Sequence, residues 1–147
     1  MIRYLYFDKL DNLQEYASPD ELSRFLHTSL SPFEDPVDEI MDGLEYAFSD
    51  VEGKGGFVIL ARDGGNTVGA LVMLRTGMSG YVPPNILLYI AVKPDCRGQG
   101  IGGSMIREAF RKSDGDIKLH VDYDNPARRL YERMGFRSKY AEMRYIR

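Results

Sequence analysis

Two hydrophobic periods alternate along this chain, and the places where the period changes mark out its elements. Met1 to Phe7 (MIRYLYF) is aromatic and β-branched and predicts an opening strand. Ser18-Pro19-Asp20-Glu21 has Ser at an N-cap, Pro at the first helical position and Glu at the third, a capping-box pattern. Leu22, Phe25, Leu26 and Leu30 then share one helical face. Asp35-Pro36 predicts a second helix start by the same logic, with Val37, Ile40, Met41, Leu44 and Phe48 as its stripe. After a glycine-rich break at Gly53 to Gly56, Phe57–Arg62 and Thr67–Leu74 read as strands. Asp63-Gly64-Gly65-Asn66 between them tolerates positive φ, so the pair predicts an antiparallel hairpin. Gly77 to Pro84 is a loop able to move over a substrate.

Asn85 to Lys112 organises the rest. Ile86 to Val92 (ILLYIAV) is short and rich in β-branched and aromatic residues, which predicts a buried strand. Pro94 ends it, because proline has no N–H for a ladder. The chain then turns through Asp95-Cys96 into Arg97-Gly98-Gln99-Gly100-Ile101-Gly102-Gly103 and enters a helix. Ile101, Met105 and Ala109 form that helix's stripe, with Ile106 and Phe110 beside it. A glycine-rich turn opening a helix suits an anion: the first helical N–H groups lack partners, the dipole is positive there, and glycines allow close approach. Arg97 adds a guanidinium suited to phosphate oxygens. The pattern predicts a diphosphate cradle.

Ile117 to Val121 (IKLHV) predicts a short strand. With the helix before it, it makes a crossover unit, so it should lie parallel to Ile86–Val92. Asp124 or Asn125 caps a further helix with Ala127, Leu130, Tyr131 and Met134 on one stripe and Gly135 at its end. Phe136–Lys139 and Ala141–Ile146 read as two closing strands, a hairpin. The order β-α-α-β-β-β-α-β-α-β-β predicts an α/β fold, a mixed, mostly antiparallel central sheet with flanking helices.

The length of 147 residues fits a single domain spanning 1–147, large enough to bury a core without staples. A net charge of −3 gives no basis for nucleic-acid affinity and is compatible with a cationic substrate. One cysteine cannot form an internal disulfide, which predicts a reducing cytoplasmic setting. No signal peptide and no membrane-length apolar run is visible, so no membrane partner is expected, and a homodimer stays open. No metal site is expected.

Arg97-x-x-Gly100-x-Gly102, a few residues after Ala91-Val92-x-Pro94, resembles the acetyl-CoA signature of the GNAT superfamily of N-acetyltransferases. Asp124-x-x-Ala127-x-x-Leu130-Tyr131-x-x-x-Gly135-Phe136 is similar to that family's second motif, which usually begins with Asn. The two blocks cover roughly the C-terminal half. The resemblance implies acetyl transfer from acetyl-CoA, as co-substrate, to a small-molecule or peptide amine. It implies a central strand whose free backbone groups at Ile90, Ala91 and Val92 pair with the pantetheine arm, the Ile90 N–H donating to the oxyanion. Arg97, Gly98, Gln99, Gly100, Ile101, Gly102, Gly103 and Ser104 would hold the diphosphate, mostly through main-chain N–H. Asp124 departs from the family Asn, and Asn125, one residue on, is placed to take over that cofactor contact. Tyr131 stands at the position of the family's general acid near the CoA sulfur. It implies, too, that the linker before the second helix walls the acceptor site. Glu34 and Asp35 there suit a cationic acceptor.

Several readings stay open. Many family members carry a glutamate on the central strand near Tyr89, and this strand has no carboxylate. His120, Asp122 and Asp124 are candidate bases, each with a plain structural role as the alternative. Cys96 reads as a loop residue rather than a nucleophile. The missing carboxylate also suits a non-catalytic acyl-CoA-binding module. Gly98-x-Gly100-x-x-Gly103 matches a dinucleotide fingerprint literally, with Asp122 suggestively placed. The preceding strand ends about five residues before Gly98, however, where that fingerprint wants its first glycine just after the strand, and nothing upstream builds the other half of such a sheet.

Overall fold

Helices cover both faces of a five-stranded sheet in a computed structural model that describes residues 1–147. The elements are β1 (Ile2–Phe7), α1 (Leu10–Gln14), α2 (Pro19–Leu30), α3 (Val37–Ala47), β2 (Gly56–Asp63), β3 (Asn66–Arg75) and β4 (Asn85–Val92). A single 3₁₀ turn at Pro94–Cys96 leads to α4 (Ile101–Lys112), β5 (Ile117–Lys118) and α5 (Ala127–Arg133). The strands lie in the order β1-β2-β3-β4-β5. The first three pairings are antiparallel and β4–β5 is parallel.

Strand alternation sorts the core into two clusters. Val58, Leu60, Ala70, Val72, Tyr89 and Ala91 meet Leu22, Leu26, Ile40 and Leu44 of α2 and α3. Phe57, Ile59, Leu71, Met73 and Leu87 meet Ile101, Met105, Ile106 and Ala109 of α4. A fully buried side chain of this size contributes about 1.5–3 kcal/mol. The α2 cap forms as the sequence predicts: the Glu21 N–H donates to Ser18 Oγ at 3.1 Å. Loss of such a cap costs typically about 1 kcal/mol.

The structure departs from the sequence reading in five places. The short helix α1 was not expected. Asp35 does not cap α3; Pro36 is the N-cap residue and no side chain caps that end. Strand β5 stops at Lys118 instead of Val121. The closing hairpin at 136–139 and 141–146 is absent, and Tyr140, Met143, Tyr145 and Ile146 are exposed. A strand needs a neighbouring edge to satisfy its backbone, and two-residue β5 offers almost none. The fifth departure is at α5. Its N-cap residue is Pro126, and neither Asp124 nor Asn125 holds that position; of the two, Asn125 supports the first turn, its Oδ1 accepting the Ala127 N–H at 2.9 Å.

Candidate active site

The two flanks of β4 differ. Against β3 the strand is paired from Asn85 to Val92. Against β5 it is paired only at Asn85 and Ile86. Buried Asn85 holds that short junction, its Nδ2 donating to the carbonyls of Asp114 at 2.6 Å and Asp116 at 3.2 Å. Beyond Ile86 this flank of β4 has no strand partner, because β5 ends at Lys118. The Lys93 N–H donates to Val68 O at 2.8 Å and so faces β3. The two-residue period therefore turns the N–H groups of Ile90 and Val92 to the opposite, open edge. That edge is where an extended ligand can add as a strand.

The open edge leads to the start of α4. Gly100 is the N-cap with φ +78°, and no side chain caps the helix. The first capped N–H is that of Ser104, which donates to Gly100 O at 3.1 Å. The N–H groups of Ile101, Gly102 and Gly103 therefore remain available to an anion. Gly98 and Gly100 both take positive φ and face open space. The missing side chain of Gly102 serves packing. A Cβ there would stand 3.0 Å from Leu130 Cδ2, so this glycine lets α5 pack on α4. These residues fit a diphosphate on their backbone.

Arg97 is exposed but engaged. Its Nη2 donates to Ser29 O at 2.6 Å and its Nε to Val92 O at 3.2 Å. The guanidinium thus links the C-terminal end of α2 to the exit of β4. A shallow cleft of about 380 Å³ lies beside that link, lined by Phe25, Thr28, Ser29 and Lys93 among others. It borders neither the open edge nor the glycine turn.

Ile90, Val92, Ile101 and Tyr131 lie on the α4 side of the sheet in one apolar cluster, whereas Ala91 points to the α2–α3 side. Tyr131 packs edge-on against Phe136, ring centroids 6.0 Å apart. Burial pushes its hydroxyl up to about 12, with no hydrogen-bond partner contributing. The proton therefore stays on Tyr131 at neutral pH. Asp124 is exposed and Gln99 is solvent-facing. His120 and Asp122 are exposed too, and the Asp122 carbonyl accepts the Asn125 N–H in a turn. Cys96 sits with its Sγ 3.6 Å from Asp95 Oδ1. Desolvation and the Asp95 carboxylate push its thiol up, which suits a loop residue and not a nucleophile.

A contact that sequence reasoning missed lies on the other face. The Tyr89 hydroxyl donates to Asp35 Oδ2 at 2.9 Å across 54 residues of sequence. Burial first, then the Asp35 hydrogen bond and the charges of Asp35, Glu39 and Asp42, hold the Tyr89 hydroxyl far above the usual phenol range. The one signal in the sequence was the site of Tyr89, on the strand where a carboxylate was sought. Its partner could not be read from spacing.

Comparison with known proteins gives this arrangement its class. The profile of the acetyltransferase (GNAT) domain matches residues 54–138. Similar solved structures include an aminoglycoside N-acetyltransferase, AAC(6′)-Iy, in complex with CoA, at 13% identity and TM-score 0.71, covering 100% of this chain and 95% of that one. A GNAT family acetyltransferase from Streptococcus pneumoniae TIGR4 aligns at 20% identity and TM-score 0.68, covering 100% and 98%. A ribosomal-protein-alanine N-acetyltransferase from Brucella melitensis biovar Abortus 2308 aligns at 20% identity and TM-score 0.65, covering 100% and 99%. Comparison with curated protein sequences returns no match. The chain belongs to the GNAT acetyltransferase family. It is an acetyl-CoA-dependent acyltransferase, with acetyl-CoA as co-substrate. No helix is long and apolar enough to cross a membrane.

Proposed function

We propose that this enzyme transfers the acetyl group of acetyl-CoA to a primary amine by direct attack, with Tyr131 as general acid. The observation that carries the reading is the open edge of β4, running from the N–H groups of Ile90 and Val92 to the uncapped start of α4, with Tyr131 on the same side. Acetyl-CoA supplies the acetyl group on an activated thioester. The Ile90 N–H stabilises the carbonyl oxygen as it gains negative charge, and one such donor is typically worth about 2.7–4 kcal/mol. The N–H groups of Ile101, Gly102 and Gly103 hold the diphosphate, with Gly98 and Gly100 leaving room for it. Asn125, tied to the start of α5, and the exposed Asp124 before it would supply the remaining cofactor contacts. Tyr131 gives its proton to the departing sulfur as the C–S bond breaks, and the proton that the attacking nitrogen loses passes through water and restores the phenol. A phenol held near 12 loses driving force toward a thiol of pKa about 8.5, so the transfer accompanies bond breaking and does not precede it.

Charge supports a cationic acceptor. Residues 1–55 hold thirteen Asp and Glu against four Lys and Arg; the rest of the chain holds nine against fifteen. An acidic N-terminal part suits a cationic acceptor, and a basic remainder suits an anionic cofactor. Two of the structurally similar proteins are aminoglycoside acetyltransferases, and aminoglycosides are polycationic amines. The experiment is a broad amine screen with thiol-release detection. Turnover with amines is the expected result, and CoA but not NAD should raise the Tm. A protein that binds acetyl-CoA and acetylates no amine would be a binding module instead.

A further inference from the structure

The α2–α3 linker carries a carboxylate that the fold holds in place and leaves without a cation. Asp35 is gripped twice. Its side chain accepts from Tyr89 at 2.9 Å, and its carbonyl oxygen lies 2.9 Å from His27 Nδ1. Tyr89 is 9% exposed and stands next to Ile90 on β4, so the grip comes from the core of the sheet beside the reaction edge. Asp35 itself is exposed, and no ion pair in the structure includes it. Glu34, next in sequence, has Oε2 sealed from solvent with no partner. Glu39 and Asp42 of α3 add negative potential at the same tyrosine. α3 lies close on this strand because Gly43 has no side chain: a Cβ there would stand 2.6 Å from Leu88 Cδ2.

A carboxylate on an exposed residue, with one oxygen fixed by a neutral donor and no ion pair, is ready for a cation. We propose that Asp35 is a specificity residue for the acceptor: it binds an ammonium group of the substrate other than the amine that is acetylated. Tyr89 positions that carboxylate, and the acceptor class is a polycationic amine. The inference rests on the enzyme reading above, and two separate measurements keep the two apart.

The probes are spermidine and kanamycin as polycations, and butylamine as a single-charge control. Calorimetry on the CoA-loaded full chain measures their binding directly, and thiol release measures turnover. For Asp35→Asn we expect KM and Kd for the polycations to rise about tenfold or more, since a charged hydrogen bond is lost. The kcat and the Kd for acetyl-CoA should hold within about twofold, and butylamine should be unaffected. Asp35→Glu should restore part of the affinity, and Tyr89→Phe should give a smaller rise in KM alone. A merely structural contact would instead lower Tm and move kcat for every amine. Unchanged polycation KM in a folded Asp35→Asn, or wild-type enzyme that turns over butylamine and neither polycation, overturns the inference while the acetyltransferase reading stands. No turnover of any amine by wild-type protein that binds acetyl-CoA overturns both.

Discussion

Each face of the sheet carries one tyrosine whose hydroxyl is held above the usual phenol range, Tyr89 on β4 and the partly buried Tyr131 on α5, and the two are in opposite situations. Tyr89, on the α2–α3 side, has its proton committed to Asp35 at 2.9 Å. Tyr131, on the α4 side, is raised to about 12 by burial alone. A hydroxyl already donating to a carboxylate is poorly placed to protonate anything else. A buried hydroxyl without a partner keeps its proton and remains free to donate. The same residue type thus suits a fixed acceptor wall on one face and proton transfer on the other. The difference comes from the neighbours and not from the degree of burial.

The sharpest way to break this comparison is to remove the Tyr131 hydroxyl. Tyr131→Phe keeps the ring on Phe136 and should slow acetyl transfer by about 10²–10⁴-fold, the typical range for losing a general acid. The Kd for acetyl-CoA and the Tm should barely move. Because slow product release masks a chemical step in kcat, the rate belongs in a single-turnover experiment. Full-rate transfer there would remove Tyr131 from the mechanism and leave water to protonate the sulfur.

Alkaline pH gives a second test of the same contrast. Tyr131 titrates at about 12 when folded against about 10 when unfolded. Its contribution to stability is complete below pH 10 and is lost as pH rises toward 12, because the unfolded state then releases a proton that the folded state keeps. A shift of this size amounts to about 2–3 kcal/mol. The Tm of the wild type should therefore fall more steeply than that of Tyr131→Phe between pH 10 and pH 12. Parallel curves would mean that water reaches the Tyr131 hydroxyl.

Features carried by local chemistry were legible in the sequence. The capping box at Ser18, the Asp63–Asn66 turn and the period change at Pro94 are enough to place α2, the β2–β3 hairpin and the β4–α4 junction. Features that depend on a distant partner were not legible. The Tyr89–Asp35 contact joins residues 54 apart, and no spacing rule connects them. Strand-like alternation in Ala141–Ile146 promised a closing strand, yet alternation describes only a side-chain pattern, and β5 provides no edge beyond Lys118. Glycines also read alike in sequence. Gly100 takes a left-handed φ and faces open space, whereas Gly102 makes room for Leu130.

That last distinction sharpens the comparison of the two faces at the cradle itself. Gly100→Val points a side chain into open space at a left-handed φ and should weaken acetyl-CoA binding roughly tenfold or more. Gly102→Val should act mainly through stability, because overpacking of a tight contact costs typically about 1–3 kcal/mol. Calorimetric Kd and denaturation midpoints separate the pair. Equal losses of affinity at equal stability would mean that a side chain at either position obstructs the cofactor.

The smallest expected effect concerns the link between the faces. The guanidinium of Arg97 joins Ser29 O, at the end of α2, to Val92 O, at the exit of β4. Both contacts are charge-assisted, but the residue is exposed, so water replaces much of what is lost. Arg97→Ala should therefore cost only about 1 kcal/mol of stability. If the link is what Arg97 supplies, α2 should loosen against β4: acceptor KM rises a few-fold while the Kd for acetyl-CoA changes little. Arg97→Lys retains the charge but cannot reach two carbonyls with one planar fork, so it should behave like Ala. The opposite pattern is equally readable. If the guanidinium turns to the diphosphate when cofactor binds, Arg97→Ala should raise the Kd for acetyl-CoA about tenfold, Arg97→Lys should recover part of it, and the loss should shrink as salt rises. Acceptor KM and cofactor Kd, measured on the same two variants, therefore decide whether Arg97 joins the two faces or serves only one.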